Sequence, residues 1–140
     1  MVRTIACLVA VALALSVITA MAQDSDKEKT AVLAAEKWLR MVDEGKYTES
    51  WQEAAEYLRN AINQEQCNQS LRAVRKPLGK PVSRQVRSAT YKTSLPGAPD
   101  GEYVVIQFDT AFENKKSAIE TVTPMMDQDG TWRVSGYYIK

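Results

Sequence analysis

The apolar residues of this chain change their spacing once. Up to Val74 they recur at intervals of three and four; beyond the Pro77-Leu78-Gly79 punctuation they alternate. The first spacing draws a stripe along a helix, the second one face of a strand. Helices followed by hairpin-linked strands make an α+β chain, in which the helices must bury their stripes on one face of an antiparallel sheet.

The first stripe is Ala31, Ala34, Ala35, Trp38, Leu39 and Val42, after a charged, fraying lead-in over residues 24–29. Gly45 marks its end, because glycine adopts the left-handed conformation at little cost. A second helix is expected from Ser50, with Ser50 and Glu53 as a capping box and Trp51, Ala54, Ala55, Leu58, Ala61 and Ile62 as its stripe. A third, shorter helix carries Cys67, Leu71 and Val74 and stops ahead of Pro77, whose ring disfavours helix in the preceding residue. Strands are predicted over residues 82–95, 102–112, 118–126 and 131–139. In the second, Val104, Ile106, Phe108 and Phe112 share one face and Tyr103, Gln107 and Asp109 the other. Asp129-Gly130 is a tight-turn signal. The economical assembly is a curved four-stranded antiparallel sheet wrapped around the first helix, leaving an open cone or groove where ligands bind.

The first 22 residues are of a different kind. One positive charge, Arg3, precedes an unbroken apolar and small run from Ile5 to Ala20, and Ala20-Met21-Ala22 presents small residues at the positions a signal peptidase reads. This predicts a signal peptide over residues 1–22, cleaved after Ala22, and a single soluble domain over residues 23–140 in a periplasm or released. The run is shorter than the roughly 20 residues a membrane span needs, so no stable insertion is expected after cleavage. Cys7 sits too early for a lipoprotein box. The processed chain keeps one cysteine, Cys67, read as a small buried residue on a helix; an intramolecular disulfide is excluded.

The chain contains no histidine, which removes Ser-His and Cys-His nucleophiles and histidine metal sites. No glycine-rich phosphate loop, nucleophile elbow or metal-ligand spacing is present, so neither cofactor nor metal is expected. Charge is unevenly spread. Residues 66–99 carry seven bases and no acid, whereas the segments on either side are net acidic. A basic face of this kind attracts an anionic ligand or an acidic partner unless neighbouring acids neutralise it. Nucleic acid is a poor match, since net charge is near zero and export removes the target. Arg75 and Arg84 can each grip a carboxylate or phosphate through paired hydrogen bonds, or bridge to Asp43, Glu102 or Glu120 across the helix–sheet seam. Trp51 and Tyr103, with Trp38 and Trp132, line either a pocket or the core. Glu120 shares a face with Ala118 and Val122 and points toward the groove, whereas Asp109 points to solvent.

Several segments together resemble a known family: Trp38-Leu39, Asp43 with Gly45 and Tyr47, Ser50-Trp51, Arg75 with Pro77-Leu78-Gly79, Arg84, the run from Leu95 to Tyr103, Glu120-Thr121-Val122-Thr123, and the run from Asp129 to Tyr137. Their order and spacing are similar to exported bacterial proteins grouped as domain-of-unknown-function family 4019. The resemblance implies a cone-shaped α+β fold similar to nuclear transport factor 2 and supplies no catalytic residues. One departure is Cys67, near a position where the family tends to carry tryptophan, and it bears on the packing of the third helix.

These readings lead to an exported, non-catalytic module that binds a small anionic ligand or an envelope protein, with Arg75, Arg84, Trp51, Tyr103 and Glu120 as candidate ligand-binding residues. Two alternatives stand beside it. One is a small hydrolyase- or isomerase-like enzyme using a groove carboxylate; the other is a self-associating module that forms a homodimer through its sheet.

Overall fold

The computed structural model describes residues 2–140, with side chains from Val17 onward. Cys7 and most of the apolar run behind the export reading therefore lie outside the described side chains. Helix α1 spans Val2–Asp43, α2 Tyr47–Gln52, α3 Glu56–Ala61 and α4 Gln64–Arg75; a 3-10 turn, Lys76–Leu78, leads into the strands. Strands β1 (Pro81–Lys92), β2 (Tyr103–Phe112), β3 (Lys115–Met126) and β4 (Trp132–Ile139) form one antiparallel sheet in the order β1-β2-β3-β4.

The stripe on α1 is buried as its spacing requires: Ala31, Ala35, Trp38, Leu39 and Val42 pack on Val104, Ile106, Phe108, Val122 and Val134 of the sheet. Gly45 ends α1 with φ +73°. The charged lead-in does not fray. It continues α1, because Lys27 pairs with Glu102 at 2.8 Å and the Tyr91 backbone N–H donates to Glu28 at 3.1 Å, fixing this turn to β1 and β2. Residues 17–23, one turn further out, are exposed. Among the described residues no helix is long and apolar enough to cross a membrane.

Three local expectations are corrected. The second helix is two helices, broken at residues 53–55, because Ala54 and Ala55 are fully buried there and the Ala55 N–H donates to the Val134 carbonyl on β4 at 2.8 Å. Ser50 is no cap. It lies inside α2, fully buried, with its hydroxyl donating to the Tyr47 carbonyl; the capping box belongs to Asn63 and Gln66 at the start of α4. On α4 the buried row is Cys67, Leu71 and Arg75, and Val74 is exposed. An arginine occupies the inward position because a carboxylate waits opposite it. Cys67 itself is buried, as read, and burial pushes its thiol pKa up.

The largest difference concerns the cone. The space between α1 and the sheet is not an open groove but is filled by Trp38, Leu39, Ile106, Phe108 and a buried polar group described below. The small concavity at the α1–β4 seam, lined by Trp38, Glu53 and Trp132 among others, holds only about 100 Å³.

Gly79 closes the link from helices to sheet. It has φ +73° and ψ −162°, a region open essentially to glycine alone, and a Cβ there would meet Glu113 Cβ at 3.0 Å. Gly45 shares the positive φ but has open space around it. Gly79→Ala is expected to lower stability by about 2–3 kcal/mol, against roughly 1 kcal/mol for Gly45→Ala. Urea unfolding of the two variants checks this; equal losses would show that the Glu113 contact yields freely.

Candidate functional site

Two helix ends and two strands deliver charged side chains to one buried point. Asp43 is the last residue of α1 and Arg75 the last of α4; Arg84 comes from β1 and Glu120 from β3. Arg84 stands opposite Thr110 on β2, and Glu120 stands opposite Phe108, so the pleat turns both toward α1. An acid at a helix C-terminus opposes the helix dipole, so Asp43 needs cations nearby.

It has two. Arg84 Nη1 and Nη2 donate to the Asp43 carboxylate at 2.8 and 3.0 Å, and Arg75 Nη2 donates to Asp43 Oδ1 at 2.7 Å. Arg84 Nε turns the other way, to Glu120 Oε1 at 2.7 Å. The hydroxyls of Thr110 and Tyr137 also donate to Glu120, at 2.6 and 2.5 Å. Glu120 is fully buried and Arg75 is 4% exposed, its guanidinium lying 4.9 Å over the Phe112 ring. The Tyr137 ring meets Trp38 edge-on at 5.2 Å.

Two acids and two bases thus neutralise one another, Glu120 and Arg75 buried and Asp43 and Arg84 partly so. Burial pushes the Asp43 carboxyl up, but hydrogen bonds from Arg84 and Arg75 outweigh it and leave the pKa below its ordinary value. Burial, then the charge of Glu120, pushes the Tyr137 phenol well above its ordinary range, so Tyr137 stays a hydrogen-bond donor. Both Glu120 oxygens already accept from protein donors, Oε1 from Arg84 and Thr110 and Oε2 from Tyr137. Within this group only Arg75 Nε and Nη1 lack an acceptor among the described residues, and both are buried.

Arg75, Arg84 and Glu120 are therefore brought together, and the arginines bridge to Asp43 and Glu120. Trp51 and Tyr103 lie elsewhere. The Trp51 indole donates to the Ile62 carbonyl at 2.9 Å, and the buried Tyr103 hydroxyl to the Pro99 carbonyl at 2.5 Å. The seven bases of residues 66–99 do not make one unpaired face. Two are in the buried cluster, Arg87 turns to Asp109 at 3.5 Å, and Arg72 lies over the Tyr47 ring. Among the described residues no group of carboxylates or thiols is placed to hold a metal ion.

The sequence reading missed Thr110 and Tyr137 as partners of Glu120; their positions on the inward face of β2 and β4 were the available signal. It also missed a slot of about 540 Å³ between α1 and the edge strand β1. Val32, Leu33 and Glu36 on the helix and Val86 and Ala89 on the strand line it, with Glu28 at one end. Leu33 is 65% exposed and Val86 44%.

Residues 34–137 match the family described as a protein of unknown function (DUF4019), and the chain belongs to that family. The match takes in Asp43, Arg75, Arg84, Glu120 and Tyr137, and begins just beyond Leu33. No curated protein matches the chain.

The cluster has a pH signature. Since the pKa of Asp43 is lower folded than unfolded, its contribution to stability is complete above about pH 4 and is lost as pH falls through the folded value. Asp43→Asn is expected to cost about 3 kcal/mol at pH 7, because it leaves the buried Arg75 without its counter-charge and the partly buried Arg84 with Glu120 alone. It should also flatten the decline in stability between pH 4 and pH 2.5. Urea unfolding across that range checks both; an unchanged acid slope would mean that Asp43 is not held as described.

Proposed function

We propose that the protein is an exported, non-catalytic module that binds an envelope protein on its outside, at the slot between α1 and β1. The observation that carries this reading is a contrast. The interior charges are spent on one another, while Leu33 and Val86 stand exposed on facing walls of a slot. Large apolar side chains gathered in a concavity with charged residues at its rim mark an interaction surface more often than a solvated one. An enzyme using Glu120 or Asp43 would need a carboxylate free to exchange a proton, and both are held by arginines.

Export rests on the layout of residues 1–22. It fits a fold in which Lys27 and Glu28 tie α1 to the sheet, since removal of the first 22 residues leaves both ties in place. The same geometry leaves the chain before the slot exposed.

A photo-reactive residue in place of Leu33 is expected to form an adduct with another protein in the intact envelope, while the same residue in place of Val74, 47% exposed on α4, does not. The recovered protein is expected to begin at Gln23. Equal labelling from both positions, or an unprocessed chain in the cytoplasm, would contradict the reading.

A further inference from the structure

Strand β1 is one edge of the sheet and is 12 residues long. An edge strand offers a row of unpaired backbone groups, and proteins that do not use the edge usually cover it. Here the cover is partial and informative. The Tyr91 N–H points away from β2 and into the slot, where the Glu28 carboxylate accepts it at 3.1 Å. Glu28 thus does what the carbonyl of a neighbouring strand would do. The period of two along β1 turns the Ala89 N–H the same way, toward the part of the slot beyond Glu28. A helix lying beside an edge strand, with apolar side chains between them, is the arrangement in which an extended peptide adds to a sheet: the backbone supplies affinity and alternate side chains fill the pocket.

Charge narrows the class of peptide. Among the described residues the part of β1 that lines the slot, Val86 and Ala89, contains no cation, and Lys92 stands at the far end of the strand, outside that lining. Arg84 is bound to Asp43 and Glu120, and Arg87 is turned to Asp109. The helix wall carries Glu28 and Glu36 against Lys29, so the slot is net acidic. The register shift between Val86 and Ser88 limits the length of regular pairing. Pairing is therefore short, around Ala89, with side-chain contact to Leu33 and Val86 beyond it.

We infer that the slot accepts a short extended segment of a partner protein, apolar at alternate positions and basic at those between, as a fifth strand beside β1. This rests on the partner-binding reading above and names the form the partner takes.

The test uses the protein purified as the cell leaves it, labelled for backbone amide NMR. The probes are a seven-residue peptide alternating valine and lysine, its valine–glutamate counterpart, and a version with a central proline. The valine–lysine peptide is expected to shift the amides of Leu33, Val86 and Ala89 saturably. The glutamate and proline versions are expected to bind at least about tenfold more weakly. Leu33→Ser removes most of an exposed leucine that the peptide would cover and is expected to weaken the first peptide by about tenfold. Equal binding of all three peptides, or shifts confined to other elements, would overturn the inference. Slot shifts that change with protein concentration and without peptide would also overturn it, by making the occupant a second copy. If the Leu33 adduct forms in the envelope yet no peptide binds, the strand form is wrong and the partner reading stands; if both are absent, both fall.

Discussion

Arg84 joins what the fold would otherwise leave separate. Its guanidinium spans from the carboxylate that ends α1 to the one buried in the middle of β3, and Arg75 closes the group from the end of α4. A planar group with fixed donor directions can do this; a lysine at the same place could not satisfy both carboxylates at once. The packing of Trp38, Leu39 and Val42 on the sheet supplies most of the burial, but apolar contact has no preferred register. The charge group does, because a helix slid or rotated by one residue would take Asp43 from both arginines and leave the buried Arg75 unpaired, at several kcal/mol.

That constraint decides what the interior can do. The hollow expected of a helix-on-sheet cone is occupied, and its most reactive-looking residue, Glu120, is the most completely engaged. Thr110, Tyr137 and Arg84 converge on it from three strands. The recognition proposed here falls at the surface, where α1 leans over β1 and its lead-in turn is tied down by Lys27, Glu28, Tyr91 and Glu102. The clasp holds the helix wall of the slot in place, so the stability of the core and the shape of the outer surface are linked through one helix.

Much of the fold was legible because it rests on local chemistry. The change of apolar period at Pro77 set helices before strands, Gly45 and Gly130 both have the positive φ their neighbours announced, and Asp109 faces solvent as alternation requires. The failures share a cause. Ser50-Glu53 has the composition of a cap, but the Ala55 N–H finds a partner on β4 and the helix breaks instead. Val74 fits an apolar row, yet Arg75 takes the inward place because Asp43 lies opposite. The members Arg75, Arg84, Glu120 and Asp43 could be named from the chain, and a bridge among them considered. Alternation turns Tyr137 and Thr110 inward, but only strand register puts their hydroxyls on Glu120. The slot was invisible because Leu33 lies off the stripe and Val86 sits in a basic strand; nothing local says that they face each other.

On the proposed reading the interior charges serve the fold and the slot serves recognition. A double-mutant cycle on Arg84→Met and Glu120→Leu tests this most directly, with stability and labelling from Leu33 read on the same samples. Each single change should cost about 3–5 kcal/mol and the pair clearly less than their sum, with labelling retained by whatever fraction remains folded. Additive or negligible stability losses, accompanied by loss of labelling in well-folded protein, would contradict it by placing recognition in the interior.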